Sequence, residues 1–289
     1  MRTKIISISF GLIISFSSSA QKDGAYHLDE VYSIDPNGTL YLRSEDANVR
    51  ITGTDRDDIR VVINREEEIR GITTRRDDFE MEIEEKAGNL YLTEKNRSSK
   101  VNMGIGFYRL DYEITIELPS NASLKIDGED DDYLIRSVNG KIGIDVEDGD
   151  IELIDCKGND FDFEIEDGDL SMDGGGGKLY ANIEDGDLDL RNGSFTDIDI
   201  VTEDGDVLLE TTLTNDGVYD FDGEDATLEF LVIAGGGRFN ISRDDARVTA
   251  ADIFKLMRET DSRVSYELEG GTADVSIRTQ DGRVRLSKR

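Results

Sequence analysis

The 289-residue sequence contains one cysteine, one histidine, two prolines and no tryptophan. A single cysteine, Cys156, excludes a disulfide within the chain, and a lone thiol among strand-like residues is typical of a small core residue. The one histidine, His27, lies near the N-terminus, so catalytic triads and histidine-ligated zinc sites lack a suitably placed imidazole. The absence of tryptophan removes the aromatic platform on which many glycosidases bind sugar rings. These absences argue against an enzyme.

Long apolar runs are also scarce, and the clearest one is Ile5 to Phe16, which follows the basic residues Arg2 and Lys4. The small residues Ser18 to Ala20 come next, and signal peptidases accept such residues. The apolar run is shorter than the roughly 20 residues that a membrane-spanning helix needs. We therefore expect residues 1–20 to be a secretory signal that is cleaved after Ala20, which leaves a mature chain without a membrane span.

Acidic residues outnumber basic residues by 65 to 33, which gives a net charge of −32. Such a chain repels nucleic acid and anionic membrane surfaces, and it attracts cations and basic surfaces. Apolar residues recur in regular patterns throughout the chain, so the acidity does not indicate disorder. The charge is concentrated in residues 121–225, where 33 Asp and Glu accompany only six Lys and Arg.

A short acidic motif, Glu-Asp-Gly-Asp, repeats along this acidic region. It occurs four times, at residues 147–150, 166–169, 184–187 and 203–206. The glycines of these copies are 19, 18 and 19 residues apart. Degenerate copies, Asp-Gly-Glu-Asp, occupy residues 127–130 and 222–225. A fixed period of this length is the sequence signature of a repeat architecture.

Apolar and polar residues alternate on both sides of each motif, as Ile142, Ile144 and Val146 do before the first copy. A period of two indicates half-buried strands with the apolar side inward, and Asp-Gly supplies the turn between them. The near-constant period favours one repeat per coil and thus an all-β fold, a single-chain parallel β-solenoid with coils of about 18–19 residues. Asp-Gly between alternating strands is also a hairpin signal, so an antiparallel β-sandwich or meander is the alternative.

The rest of the sequence is strand-like but less regular. We divide the chain into the signal at 1–20, irregular N-terminal β coils at 21–120, acidic solenoid repeats at 121–230, and C-terminal β coils with a basic cap at 231–289. The glycine-rich stretches 174–177 and 235–237 indicate sharp turns of the coil.

Three further local features are expected outside the regular repeats. Residues 95–109 are polar and contain glycine, which predicts a long loop. Residues 251–259 predict one short helix. The last strand carries basic residues, which we expect to block edge-to-edge association of a terminal coil. These residues are Arg278, Arg283, Arg285, Lys288 and Arg289.

Several landmarks occur in a characteristic order: Gly38 to Leu42, then Ile51 to Asp58, then Ile114 to Pro119, followed by the Gly-Asp repeats. In this order and period the chain resembles a bacterial adhesin-like family of β-strand-repeat proteins, a domain of unknown function, over most of residues 30–286. The resemblance implies a β-solenoid at the cell envelope and supplies no catalytic residues. The chain departs from the family pattern in the extra carboxylates that flank each turn.

The acidic turns are the candidate binding site. Stacked coils repeat about every 4.8 Å, and two carboxylates about 5 Å apart repel by roughly 1 kcal/mol in water. Ca²⁺ suits such turns because it takes about 6–8 oxygen ligands with tolerant geometry. The candidate ligands are the aspartates beside each glycine, namely Asp148, Asp150, Asp167, Asp169, Asp185, Asp187, Asp204 and Asp206. The alternative is a solvated acidic ridge, because neither the EF-hand spacing nor the nine-residue calcium repeat occurs.

The sequence therefore predicts an exported protein of the periplasm, the outer cell surface or the extracellular space, without catalytic activity and without a certain cofactor. Its repetitive surface suits a repetitive partner, such as a polysaccharide or another envelope protein. Two rival classes are a carboxylate-dependent polysaccharide hydrolase or lyase, which needs only two suitably separated carboxylates, and a purely structural spacer. An enzyme releases reducing ends or unsaturated products, a binding module only retains the glycan, and a spacer does neither.

Overall fold

The computed structural model describes residues 25–72, 79–96 and 105–289, which form β-strands and, within these ranges, no helix. The strands are β1 (Ala25–Tyr32), β2 (Thr39–Ser44), β3 (Asn48–Thr54), β4 (Ile59–Ile72), β5 (Phe79–Lys86), β6 (Asn89–Asn96), β7 (Ile105–Pro119), β8 (Ser123–Asp130), β9 (Asp132–Arg136), β10 (Ile142–Asp148), β11 (Ile151–Ile154), β12 (Asp160–Asp167), β13 (Leu170–Asp173), β14 (Gly176–Asp185), β15 (Leu188–Thr211), β16 (Val218–Val232), β17 (Gly237–Arg243), β18 (Arg247–Ala250), β19 (Lys255–Glu259), β20 (Arg263–Leu268) and β21 (Ala273–Lys288). A search of the same ranges for an apolar helix long enough to cross a bilayer finds none. The expected signal, residues 1–20, lies outside the described residues.

Each regular coil contributes a long strand and a short strand that meet at an acidic turn, as β10 and β11 do around Gly149. The long strands pair in parallel, in the order β6, β2, β8, β10, β12, β14, β15, β16, β21, β17. We call this array the long ladder. The short strands form a second parallel array, the short ladder, which includes β7, β3, β9, β11, β13 and the start of β15.

The register of the long ladder follows the period of the sequence. Leu124 pairs with Ile142, Ile142 with Phe161, and Phe161 with Leu179, at offsets of 18, 19 and 18 residues. The parallel solenoid is therefore confirmed, and the antiparallel alternative is wrong for the repeats. Parallel stacking places residues of the same kind above one another, so each inward row of apolar side chains continues into the next coil.

Inward-facing side chains of the two ladders fill one continuous core. Ile144 and Phe163 of the long ladder and Leu153 and Met172 of the short ladder are all at most 2% exposed. Each such side chain contributes about 1.5–3 kcal/mol through its removal from water. Cys156 belongs to the same core, as predicted, and burial raises the pKa of its thiol.

The order of coils in space differs from their order in the sequence at both ends of the solenoid. Coil β2–β3 lies between β8–β9 and β6–β7. Strand β21, the last in the sequence, lies between β16 on one side and β17 and β18 on the other. The expectation that the last strand forms the terminal edge is therefore wrong. Its basic residues instead pair with acidic residues of β16, as Arg278 does with Asp222 at 3.2 Å and Arg285 with Glu229 at 3.1 Å.

Antiparallel strands cover the ends of the parallel ladders. At the N-terminal end, β1 pairs with β4, β4 with β7, and β5 with β6. At the C-terminal end, β20 pairs antiparallel with both β17 and β19. An uncovered parallel edge would present unpaired backbone groups to other chains, so these antiparallel strands act as caps.

Two local predictions are corrected by these caps. The short helix expected at 251–259 is wrong, since Lys255–Glu259 forms strand β19 and pairs with β20. The loop expected at 95–109 is shorter than predicted, because β6 continues to Asn96 and β7 begins at Ile105. Residues 97–104 lie outside the described part of the chain, and the domain boundaries at 120 and 230 stay predictions. The sharp turns expected at the glycine-rich stretches are present, with φ of 98° at Gly174 and 85° at Gly235.

Candidate functional site: the acidic turns and the outer face

The four motif glycines stack directly on one another at the corner where the long and short ladders meet. Gly149, Gly168, Gly186 and Gly205 have φ between 128° and 150°, a region that residues with a Cβ rarely adopt. A Cβ on Gly186 would lie 2.1 Å from the carbonyl oxygen of Gly168, and Gly205 is in the same position relative to Gly186. Both the turn conformation and the close approach of successive coils therefore require glycine.

The aspartate before each glycine belongs to a first aspartate column along this corner. Its members pair in register from strand to strand, and all of them are exposed. They are Asp130, Asp148, Asp167, Asp185, Asp204, Asp225 and Asp281. Four of the predicted calcium ligands lie in this column. At a spacing of about 4.8 Å, neighbouring carboxylates repel by roughly 1 kcal/mol each in water.

The aspartate after each glycine belongs to a second aspartate column, which has a different role. The N–H of Asp169 donates to Oδ1 of Asp150 at 3.1 Å, the N–H of Asp187 to Oδ1 of Asp169 at 2.8 Å, and the N–H of Asp206 to Oδ1 of Asp187 at 2.8 Å. Asp132 accepts the N–H of Asp150 in the same way at 3.1 Å. Each carboxylate thus satisfies a backbone donor of the next coil, which stabilises the stack by about 0.5–1.5 kcal/mol per bond.

The structure therefore separates the eight predicted calcium ligands into two sets. Asp148, Asp167, Asp185 and Asp204 point into solvent from the first column. The other four lie in the second column, where Asp150, Asp169 and Asp187 each use one carboxylate oxygen to hold the next coil. Within residues 25–72, 79–96 and 105–289, no group of three or more Asp, Glu, His or Cys side chains is arranged to hold a metal ion. Calcium binding by these aspartates stays a prediction.

The degenerate copies of the motif do not align with the regular turns. Gly128 pairs with Val146, and Gly223 pairs with Thr202, so both glycines lie three residues before the corner. The corner positions are occupied by Asp131 and Ala226 instead. Gly128 and Gly223 are buried and leave room for aromatic side chains, since a Cβ on Gly128 would lie 2.3 Å from the hydroxyl of Tyr133.

Asp131 is a buried carboxylate that links the coil of β8 and β9 to the adjacent coil of β2 and β3. Its Oδ1 accepts the N–H of Ala47, and its Oδ2 accepts the hydroxyls of Ser44 and Tyr133, each at 3.0 Å. Burial raises the pKa of Asp131 to about 6, despite these three donors. Sequence reasoning missed this residue because it is one aspartate among many in an acidic stretch.

Glu94 is a half-buried carboxylate on β6, the strand of the long ladder that the N-terminal cap covers. Its Oε2 accepts the N–H of Glu45 and the hydroxyl of Tyr112, both at 3.1 Å. Burial raises the pKa of Glu94 to about 7. The neighbouring Arg65 is only 6% exposed, and its guanidinium carbon lies 4.8 Å from the centre of the Phe79 ring.

The outward side of the long ladder is a regular grid of side chains, which we call the outer face. Its central column runs through ten strands in register, about 40 Å at the usual strand spacing. The column consists of Tyr91, Tyr41, Lys125, Gly143, Asp162, Tyr180, Asp199, Asp220, Ser276 and Asn240. Ion pairs link adjacent rows beside this column, as between Lys178 and Asp197 at 3.3 Å. The outer face is therefore polar, and its side chains are regularly spaced.

The chain is similar to several solved structures. The chain is similar to a solved structure of a candidate cell adhesion protein from Clostridium sporogenes, with 13% identity, a TM-score of 0.35, and coverage of 91% of this chain and 100% of that one. It is similar to a candidate adhesin from Bacteroides fragilis, with 11% identity, a TM-score of 0.46, and coverage of 90% and 97%. It is also similar to a candidate lipid-binding protein from Parabacteroides distasonis, with 10% identity, a TM-score of 0.35, and coverage of 91% and 96%.

A comparison with curated proteins gives no match. The sequence profile of the family described as Toastrack DUF4097 matches residues 38–287, which includes every coil of the solenoid and both caps apart from β1. This match agrees with the adhesin-like resemblance drawn from the order of strands and turns. The chain belongs to the Toastrack DUF4097 family, a β-solenoid domain of unknown function.

Proposed function

We propose that this chain is an exported, non-catalytic, adhesin-like module that binds a repetitive polymer, in the first place a polysaccharide, through its outer face. The single observation that carries the proposal is the central column of the outer face, which presents exposed or half-buried polar and aromatic side chains in register over ten strands. A surface whose rows have a constant spacing favours a periodic ligand, because successive units of the ligand can contact successive rows and these contacts reinforce one another.

The positions of the potential catalytic groups support binding over catalysis. His27 lies in β1 of the N-terminal cap, where its Nδ1 is 2.6 Å from Oδ1 of Asn64. Cys156 is in the core, and its raised thiol pKa disfavours the reactive thiolate. A carboxylate-dependent polysaccharide hydrolase or lyase is the rival function, since the outer face carries several carboxylates.

The proposed location of the protein rests on its N-terminal sequence. The basic residues, apolar run and small residues of positions 1–20 support export to the periplasm, the cell surface or the medium. Fractionation of cells followed by mass analysis of the N-terminal peptide tests this proposal. We expect an exported chain that begins at Gln21, and an intracellular chain that retains Met1 or Arg2 would contradict it.

Calcium is proposed as a counter-ion of the acidic corner. The first aspartate column offers exposed carboxylates at regular spacing, and Asp150, Asp169, Asp187 and Asp206 lie one residue beyond the glycine at the same corner. A divalent cation near this corner would reduce the repulsion between coils by screening the carboxylates.

Co-sedimentation with insoluble polysaccharides tests the proposed function. The purified protein is incubated with cellulose, chitin and cell-wall glycan, and both the bound protein and the reducing ends released into solution are measured. We expect saturable retention without release of reducing ends or unsaturated sugars. Release of such products would make the protein an enzyme. A lack of retention on every polymer would contradict polysaccharide binding and favour an envelope protein as partner or a spacer role.

A further inference from the structure

A groove of about 490 Å³ interrupts the outer face and extends across strands β2, β8, β10 and β12. Its volume lies within the range of small-molecule sites in proteins. Four rows at the usual strand spacing make it about 14 Å long, in the direction of coil stacking. The groove is therefore shaped for a chain of small rings that lies parallel to the solenoid axis.

The groove exists because Gly143 lacks a side chain in the middle of the central column. A Cβ at this position would meet only the carbonyl oxygens of Asp162 at 3.9 Å and Leu124 at 4.0 Å, which are ordinary contacts. Its φ is not in the left-handed region, unlike that of the turn glycines. Neither packing nor backbone conformation requires glycine here. A glycine of this kind inside a strand is typical of a site where a ligand approaches the backbone.

An aromatic wall closes one end of the groove. The Tyr41 ring lines the groove and stacks on the Tyr91 ring of the adjacent strand, with centroids 4.4 Å apart and planes inclined by 3°. Tyr91 covers one face of Tyr41, so the opposite face of Tyr41 turns toward β8 and the groove. A ring held in this way loses little conformational entropy when the apolar C–H face of a sugar packs against it.

Polar groups line the rest of the groove and are held by neighbouring residues. Lys141 and Asp160 form an ion pair across adjacent rows, and Asn182 donates to Oε2 of Glu164 at 2.9 Å. Lys125 and Asp162 flank Gly143 in the central column. These groups supply amine donors and carboxylate acceptors on successive rows of the outer face. Ligands rich in hydroxyl groups need both kinds of partner.

The charge of the groove selects among sugars. Its lining contains the four carboxylates of Asp145, Asp160, Asp162 and Glu164 and only the two amines of Lys125 and Lys141. This surplus of two negative charges disfavours uronic acids and other anionic sugars. Neutral hydroxyl groups can donate to the carboxylates without such a penalty.

We propose that the groove at Gly143 binds about three consecutive neutral pyranose units of a polysaccharide, with one ring on Tyr41 and the next over the backbone of Gly143. This inference rests on the proposed function and assigns it a site. Lys125 and Lys141 donate to sugar oxygens, and Asp160 and Asp162 accept sugar hydroxyls. Flanking parts of the outer face contribute weaker contacts to a longer chain.

The test compares three variants of the full protein. Gly143→Trp fills the groove at a position where the fold has room, and Tyr41→Ala removes the aromatic wall. Ser276→Trp is the matched control, because Ser276 lies in the same central column at the far end of the outer face. Thermal unfolding verifies that Gly143→Trp and Ser276→Trp keep the wild-type stability.

An array of immobilised neutral hexose, N-acetylhexosamine and uronic acid oligosaccharides first selects the neutral glycan that the wild type retains most strongly. That glycan is then titrated against all four proteins. We expect a loss of at least about tenfold in affinity for Gly143→Trp and Tyr41→Ala and less than about twofold for Ser276→Trp.

Three outcomes would overturn the site. If Gly143→Trp binds the neutral glycan like the wild type, the groove is wrong while the proposed function stands. If only uronic acid glycans are retained, the assigned sugar class is wrong. If a hexalysine peptide displaces the neutral glycan and binds at least tenfold more tightly, the groove takes a basic segment of a protein. Absence of retention on both the array and the insoluble polymers would end the proposed function as well.

Discussion

The regular middle of the solenoid and its two ends stack their coils by different means. In the middle, the missing side chain of each corner glycine lets the carbonyl oxygen of the adjacent coil approach its Cα closely. Exposed aspartates of the second column also accept hydrogen bonds from backbone N–H groups of the next coil. At the N-terminal end, the buried carboxylate of Asp131 and the half-buried carboxylate of Glu94 accept hydrogen bonds from backbone N–H and hydroxyl groups. The C-terminal end uses ion pairs between β21 and β16, such as Arg285 with Glu229.

This difference shows what repetition makes possible. In the middle of the solenoid each coil has an equivalent coil on both sides, so the same exposed hydrogen bond recurs at every interface between coils. One such bond per coil is then enough to help hold the stack together. Where the chain leaves its sequential order, as β2–β3 does, neighbouring segments come from distant parts of the sequence. The carboxylate of Asp131 makes such contacts there and is fully buried, so we expect its loss to be more costly.

The largest expected effect concerns the glycine corner. Gly186→Ala forces a Cβ into a φ of 150° and to within 2.1 Å of the carbonyl oxygen of Gly168. We expect a loss of about 2–4 kcal/mol in the free energy of unfolding, measured by urea denaturation. Gly143→Ala is the control, since its Cβ has room, and it should change stability by less than about 0.5 kcal/mol. Equal losses in the two variants would contradict the account of the corner.

The second prediction compares a buried and an exposed aspartate. Asp131→Ala leaves the donors of Ser44, Ala47 and Tyr133 without their acceptor, and we expect it to cost about 2–3 kcal/mol. Asp150→Ala removes one bond to the exposed N–H of Asp169 and should cost about 0.5–1 kcal/mol. Urea denaturation of both variants measures the difference. If Asp150→Ala proved the more damaging change, the claim that buried contacts at the ends cost more to lose than exposed contacts of the regular corner would be wrong.

The third prediction concerns pH and Glu94, whose pKa of about 7 in the folded protein lies above its ordinary value of 4.5. The folded state therefore holds this proton more tightly than the unfolded state does, so the stabilisation is complete below pH 4.5 and is lost as pH rises through 7. We expect Glu94→Gln to reduce the fall in the free energy of unfolding between pH 5 and pH 8 by about 1–3 kcal/mol.

The control for this measurement is Glu84→Gln on the adjacent strand β5, whose side chain is 53% exposed. This variant should keep the pH dependence of the wild type. Asp131 also has a raised pKa, of about 6, so part of the pH dependence of the free energy of unfolding remains in the Glu94→Gln protein. A wild-type slope in Glu94→Gln would show that the carboxylate is solvated in the folded state.

The smallest expected effect concerns cations at the acidic corner. Because no group of three metal-binding side chains occurs in the described residues, we expect Ca²⁺ and Mg²⁺ to raise the unfolding midpoint slightly and to a similar extent, by screening the first aspartate column. Thermal unfolding in chelator, Mg²⁺ and a graded Ca²⁺ series measures this. A saturating rise selective for Ca²⁺, worth about 2.7 kcal/mol at one hundred times the Kd, would instead establish specific calcium sites.

The regular coils could be predicted from the sequence because their signals are local. The alternation around Ile142 and Ile151 and the spacing of Gly149 and Gly168 define strands, corners and period without reference to distant residues. The register found in the structure follows that period. Local patterns are sufficient where each coil repeats the one before it.

The ends could not be predicted in the same way. The pairing of β2 with β8 joins residues 84 positions apart, as in Leu40 with Leu124, and no periodicity in the sequence indicates it. The helix expected at 251–259 followed from local propensity, but pairing with β20 decides the conformation there. Gly128 and Gly223 carry the turn signature without forming the corner, because the strand register places them three residues before it.

The candidate site was foreseen only in part. The aspartates of the acidic turns were identified by position, but their hydrogen bonds to the next coil were not. Gly143 did carry a usable signal, since a glycine at an outward position inside an alternating strand is typical of a ligand approach. The stacking of Tyr41 on Tyr91 had none, because the two strands are separated by some 50 residues and pair only in the folded chain.

The most direct test of the central claim, that a repetitive face binds a repetitive polymer, is the dependence of affinity on ligand length. Neutral oligosaccharides of one to six units, of the type retained most strongly, are titrated against the wild-type protein by calorimetry. The account predicts that affinity rises at least about tenfold from one unit to three, as the groove fills, and rises further with longer chains. Equal affinity for one and six units would show a single-sugar pocket, and no binding at any length would contradict the claim.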